Sequence, residues 1–278
     1  MACLNRLPYP HLEQHTVNAI SFLTDDALAS SVGVYAGFTL RFGGVSKPPY
    51  DSLNLATHVN DDALAVAQNR QLLLDALGFS QAPVLVPNQI HGTNLITVDC
   101  RGAEAWDAYA QQAAEGADGI IVNVPEKAAL LCFADCLPAI VVSPSGRFAV
   151  LHAGWRGALA GIVGKAVREM ALQDEKVGFN AGSASYNLYL GPHICASCFE
   201  VSAEIARQFG EAYGSAVLLD GRHINLAAAV AVDAQRAGLD PRRVTCAREC
   251  TVCNGDRLFS YRASGGVCGR QGAFGIRR

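Results

Sequence analysis

The chain lacks most of the features that would place it in a specialised class. Across 278 residues, 22 lysines and arginines stand against 25 aspartates and glutamates, so the net charge is −3 and no basic stripe is available to a phosphate backbone. Nucleic acid is therefore set aside as a partner. No stretch approaches the ~18 consecutive apolar residues of a membrane span, and the amino terminus has neither the charged start nor the continuous apolar run of a secretory signal. A cytoplasmic address, a small soluble partner and no membrane are expected, with the oligomeric state left open. No period of ~20 to 50 residues recurs, which removes solenoids and propellers.

Half of the residues are hydrophobic and the mean hydropathy is positive, enough for a large core in one elaborated domain over residues 1–278, with 1–30 a poorly defined extension. The ten cysteines, in a reducing compartment, are core fillers, metal ligands or nucleophiles more often than disulfides. Short β-prone runs at 34–40, 84–86, 95–98, 119–124, 129–133, 139–142, 148–152 and 188–190 predict one large mixed sheet. Leu64, Ala67, Leu73, Leu74 and Leu77 predict an amphipathic helix that starts after Asp61-Asp62 and stops at Gly78. A second helix is predicted from Gly157 to Leu172 on the spacing of Leu159, Ile162, Val163, Ala166, Val167 and Met170, with further helices at 202–213 and 226–237. The fold class expected is α+β, a mixed β-sheet core flanked by helices.

Two motifs carry most of the chemistry: Ala-Asp-Cys-Leu-Pro at 134 to 138 and Leu-His-Ala-Gly-Trp-Arg-Gly at 151 to 157. With Asn-Gln-Ile-His-Gly at 88 to 92, they offer Cys136, His152 and His91 at strand ends and turns, a donor set that suits a catalytic zinc with one open position. Asp135, beside the thiolate, is a candidate carboxylate for orienting an imidazole. Taken singly, each donor is more often a buried cysteine or a satisfied histidine than a ligand, and the case rests on the three together. Arg156 opens the predicted helix after the His152 strand, where it either faces a phosphate or solvates the helix start. Arg41, Gly43, Gly44 and Ser46 form a weaker anion-suited loop. The stretch 259–271 brings Arg262 and Arg270 among glycines, as a third pocket wall or, more simply, a solvated hairpin. Cys195 with Cys198 and Cys250 with Cys253 have the spacing of a four-thiolate structural metal site, or are ordinary core.

These residues resemble the zinc-dependent purine nucleoside phosphorylases, also called multicopper polyphenol oxidoreductases or laccase-domain proteins. The likeness runs through Thr39-Leu-Arg-Phe-Gly-Gly-Val-Ser46, Ser52-Leu-Asn-Leu55, Gln89-Ile-His-Gly92, Ala117-Asp-Gly119, Ala134-Asp-Cys-Leu-Pro138, His152-Ala-Gly-Trp-Arg-Gly157, Cys198-Phe-Glu-Val201 and Phe259-Ser-Tyr-Arg262. Cys195 and Cys268 depart from it. The resemblance implies that His91, Cys136 and His152 are metal ligands and catalytic residues, joined by Arg156, and that Arg41, Ser46, Asn54 and Arg262 lie near substrate or phosphate. It implies phosphorolysis of purine nucleosides and methylthioadenosine, with deamination of adenosine on the same site. For the deamination, Glu200 and Asp135 are our own candidates for the group that handles protons.

Three rivals remain. A copper-dependent, laccase-like polyphenol oxidase would need many histidines, and the chain has seven with no His-x-His pair; a single blue-copper site usually adds an axial methionine, and there are two, Met1 and Met170. A cysteine hydrolase would use Cys136 with His152 as its base, on small molecules or cell-wall precursors. A non-enzymatic metal protein fits three ligands with clustered arginines less well.

Overall fold

The computed structural model describes residues 6–278. In chain order its elements begin with β1 (Glu13–Val17), β2 (Ile20–Thr24), α1 (Asp26–Val32), β3 (Val34–Thr39), α2 (Ala63–Leu77), β4 (Val84–Leu85), β5 (Leu95–Val98), α3 (Ala103–Glu115), β6 (Gly119–Val122) and β7 (Ala128–Phe133). They continue with β8 (Leu137–Val142), β9 (Phe148–Ala153), α4 (Trp155–Leu159), α5 (Ile162–Lys176), β10 (Asn187–Leu190), α6 (Ala203–Tyr213), α7 (Leu226–Arg236), β11 (Val244–Cys246) and β12 (Gln271–Arg277).

The single mixed sheet read from the sequence is in fact two six-stranded mixed sheets, ordered β1-β2-β3-β12-β7-β4 and β11-β10-β8-β9-β6-β5. Alternation along β8 explains the stacking. Ile140 and Val142 pack with Phe38, Leu131 and Phe133 of the first sheet, whereas Ala139 and Val141 pack with Val163, Val167 and Met170 of α5. Apolar residues on both faces are what a sheet buried on both sides requires. On the outer face of the first sheet, Leu73 of α2 joins Ile20, Phe22, Leu53 and Leu55. Gly275 of β12 lets the sheets approach closely, since a Cβ there would stand 2.4 Å from Phe148 Cε2.

α2 begins where expected, with the Asp62 side chain accepting from the Leu64 amide, and ends at Gly78 in the left-handed conformation (φ 77°). Its buried face differs from the expected one: Leu64 is 79% exposed and Asn69 is wholly buried. The helix expected over 157–172 is broken in two. Gly161 adopts φ 75° between α4 and α5, and Asp233 of α7 accepts from the Gly164 amide at 2.7 Å, so a distant side chain caps the new start. A Cβ on Gly164 would lie 2.3 Å from that carboxylate. The hairpin expected at 259–271 is instead a run of turns, fastened where Gln271 accepts from the Phe259 amide and donates to its carbonyl (2.8 and 3.1 Å), and it feeds β12 into the middle of the first sheet. No helix among the described residues is long and apolar enough to cross a membrane.

Candidate metal centre and its cavity

Three donor side chains arrive from three stretches of chain. Cys136 lies in the turn between β7 and β8, after Asp135, which takes φ 86° to make that turn. His152 is the penultimate residue of β9 and pairs with Pro138 of β8, which brings it beside the Cys136 turn. His91, in the segment between β4 and β5, has φ 59°. One ligand atom from each of the three falls within 4.8 Å of the others, and the two imidazoles meet edge to face with centroids 4.7 Å apart.

Asp118 holds this arrangement. The side chain is fully buried just before β6, and its carboxylate accepts from the amides of His91 (2.9 Å) and Gly92 (2.6 Å) and from His152 Nδ1 (2.8 Å). A carboxylate at Nδ1 keeps the proton there and leaves the Nε2 lone pair for a ligand. Burial works against the charge on Asp118, but His152 and the two amides outweigh it and hold the carboxyl below the usual range. The Cys136 thiol is likewise pushed up by burial, yet the charge on His152 and hydrogen bonds from His152 and His91 bring it down to about 6. His152 is pulled down by burial and raised, by the Cys136 thiolate and by Asp118, to about 9. Without a metal the pair therefore rests as thiolate beside imidazolium.

The donors fit a borderline-soft divalent ion: one thiolate, two imidazoles and room for a fourth ligand. Gly154 preserves the space, because a Cβ there would stand 3.1 Å from His91 Cδ2, 3.3 Å from Cys136 Sγ and 3.5 Å from His152 Cε1.

The triad lines a cavity of about 560 Å³, whose walls also carry Phe133, Trp155, Phe199, Tyr261, Arg156 and Arg262. The Arg156 guanidinium has no hydrogen-bond or ion-pair partner among the described residues and lies 4.3 Å over the ring of its neighbour Trp155. It sits in α4, a helix of five residues, so the long helix expected behind it begins only at Ile162. Arg262 is committed elsewhere: its guanidinium donates to the carbonyls of Cys198 (3.4 Å) and Glu200 (3.1 Å). The 259–271 stretch thus supplies a pocket wall through Tyr261, Arg262 and Arg270.

Arg41, Ser46 and Asn54 are not brought to this cavity. Arg41 donates to the carbonyls of Asp51 and Gly255, Ser46 donates to Asp61 at 2.6 Å, and Asn54 donates to the same carboxylate at 2.8 Å. Buried Asn69 ties them together by donating to Ser46 Oγ and the Asn54 carbonyl and accepting from the Val45 amide. These residues build a loop scaffold. Asp135 does not orient an imidazole, since it accepts from Thr251 Oγ1 (2.6 Å) and the Arg262 amide (2.7 Å). Glu200 pairs with Arg222 at 3.1 Å and lies off the cavity. The residue that sequence reasoning passed over is Asp118; its signal was the Ala117-Asp-Gly119 motif, whose carboxylate meets His91 and His152 only in three dimensions.

Residues 35–278 match the family model for multi-copper polyphenol oxidoreductase laccase. The chain is 31% identical over 256 residues to purine nucleoside phosphorylase YlmD of Geobacillus stearothermophilus, covering 88% of this chain and 91% of that one. It is 32% identical to adenosine deaminase RL5 from an unknown prokaryotic organism, over 88% of this chain and 94% of the relative. The crystal structure of YlmD from Geobacillus stearothermophilus superposes with a TM-score of 0.79 at 27% identity, covering 97% of this chain and all of that one.

Proposed function

We propose, for a chain that belongs to the multi-copper polyphenol oxidoreductase laccase family, that the cavity takes purine nucleosides and that the enzyme phosphorolyses them and deaminates adenosine on the same zinc centre. The observation that carries this reading is the His91, Cys136 and His152 triad, locked by Asp118 on the wall of a nucleoside-sized cavity. The names of the relatives, purine nucleoside phosphorylase and adenosine deaminase, supply the substrate class.

In the bound state zinc supplies a Lewis acid able to activate water or polarise the purine. The chain does the rest. Phe133, Phe199 and Tyr261 offer flat apolar surface for the base. Arg156, its guanidinium unpaired among the described residues, holds the phosphate that attacks C1′ while the C1′–N9 bond breaks and its electrons pass to the purine. Asp118 fixes the tautomer of His152 and the backbone of His91. His58, also on the wall, is held below its ordinary pKa by burial and then by Arg270 and Arg70; a neutral imidazole there can donate or accept a proton.

The oxidase reading gains nothing from the methionines: Met170 is on the buried face of α5 in the core, and Met1 lies outside the described residues. The cysteine-hydrolase reading has one observation in its favour, the lowered Cys136 thiol beside His152. It gives no role to His91. Incubation of the purified protein with adenosine, with and without phosphate, separates the readings. Phosphate-dependent adenine and phosphate-independent inosine, both abolished by a chelator and restored by zinc, are expected. Chelator-resistant hydrolysis would favour the thiol nucleophile, and phenol oxidation with copper the oxidase.

A further inference from the structure

Two Cys-x-x-Cys loops meet at the cavity rim, outside the triad. Strands β10 and β11 are parallel neighbours, so the chain leaves both at the same end, and the bridge between His193 and Cys250 continues their pairing. Cys195 and Cys198 follow the first strand, Cys250 and Cys253 the second. Topology therefore sets the two loops face to face.

All four sulfurs lie within 4.8 Å of one another, with Cys198 Sγ and Cys253 Sγ 3.6 Å apart. A disulfide would draw two sulfurs to ~2.0 Å. Four thiolates around a tetrahedral zinc, each Zn–S bond ~2.3 Å, stand ~3.8 Å from each other. The 3.6 Å between Cys198 and Cys253 is too long for a bonded pair and close to the separation of two ligands of one ion. The loop backbone is arranged for the same purpose: the Cys195 amide donates to Cys250 Sγ at 3.3 Å, spreading thiolate charge onto an N–H group.

We propose that Cys195, Cys198, Cys250 and Cys253 bind one zinc ion in a closed four-thiolate site that clamps the wall of the cavity. The ion displaces the remaining thiol protons to solvent and no electron moves. With four protein ligands the site has no open position, so its work is positional. Ile194 and Phe199, which flank the first pair, line the cavity. Thr251, next to Cys250, donates to Asp135, and the Arg262 amide donates to the same carboxylate, which directly precedes Cys136. The clamp thus fixes the turn that presents Cys136 without touching substrate.

The test uses the full chain carrying Cys136→Ala, so that the triad and the functional reading above do not enter. About one equivalent of zinc is expected to remain, with X-ray absorption reporting four sulfur neighbours at ~2.3 Å. The cobalt-substituted protein should show sulfur-to-metal charge-transfer bands. Adding Cys253→Ser, at an exposed position, should remove the metal. If that double variant fails to fold, the absorption spectrum of Cys136→Ala alone decides. Metal-free Cys136→Ala protein, nitrogen rather than sulfur neighbours, or a mass two hydrogens lower from a disulfide within this cluster in anaerobically purified protein would each overturn the proposal.

Discussion

Replacing Asp118 by asparagine tests the centre at the point where structure and chemistry meet. The carboxylate satisfies three donors, the His91 and Gly92 amides and His152 Nδ1, with Oδ1 shared between the first and the third. An amide has a single acceptor oxygen. If it faces the histidines, its NH₂ opposes the Gly92 amide at a site now only 2.6 Å across. If it faces Gly92, its NH₂ meets His152 Nδ1, the proton shifts to Nε2, and the lone pair needed by the metal is lost. Orienting partners of this kind are worth roughly 10- to 100-fold in metal affinity, about 1.4 to 2.8 kcal/mol. One buried donor left unsatisfied costs about 1 to 3 kcal/mol of fold stability besides. Metal affinity by chelator competition should fall by that factor, with kcat for adenosine falling in parallel when metal is not saturating, while urea unfolding of the metal-free variant reports the stability loss separately. Metal affinity unchanged within twofold, alongside a destabilised fold, would reduce Asp118 to a structural carboxylate and refute the reasoning.

Arg156→Ala should retain metal and raise KM for phosphate by roughly 10- to 100-fold, the loss of one charge-assisted hydrogen bond, while deamination of adenosine, which consumes no phosphate, is unchanged in initial-rate assays. An equal loss of both activities would place Arg156 elsewhere in the chemistry. In the metal-free protein His152 is raised to about 9 and Cys136 lowered to about 6. Between these values the thiolate is ready but the imidazole must shed a proton, so zinc uptake at this centre at neutral pH should release one proton from His152, and apparent affinity should climb as pH rises toward 9. Calorimetry of uptake by protein whose four-cysteine cluster is already filled, in buffers of different ionisation enthalpy, reads that proton; uptake without release contradicts the ion pair. Asn69→Ala should cost about 3 kcal/mol in urea unfolding, since it strands several buried groups of the 41–55 loop, and a loss below about 1 kcal/mol would show that the loop does not depend on it.

How much of this was legible in the sequence follows from the range of the interactions concerned. The ends of α2 were readable because Asp62 and Gly78 act within a turn of the helix they bound. The break at Gly161 was not, because the capping Asp233 lies 69 residues beyond the amide it accepts from. α3 escaped notice since only Tyr109 and Ala113 of its residues are buried, too few for a helical stripe. β1 is exposed along nearly its whole length, and β12 is glycine-rich, so neither shows the alternation of a half-buried strand. The donor triad could be named from residue type and motif. Its orienting carboxylate could not be chosen, because Asp135 is the neighbour of Cys136 in sequence whereas Asp118 is the residue that reaches the His152 imidazole and the His91 backbone. Ser46 and Asn54 misled for a related reason: polar residues in a glycine-containing loop resemble a ligand cradle until the buried Asn69 that consumes their hydrogen bonds is seen.

The most direct test of the zinc centre is metal content and product analysis on the same samples of native protein and Cys136→Ala, each given adenosine with and without phosphate. Cys136→Ala should hold about one zinc fewer than the native protein, the share of one three-ligand site, and form neither adenine nor inosine. Unchanged zinc content, or either product formed at the native rate by Cys136→Ala, would contradict that centre.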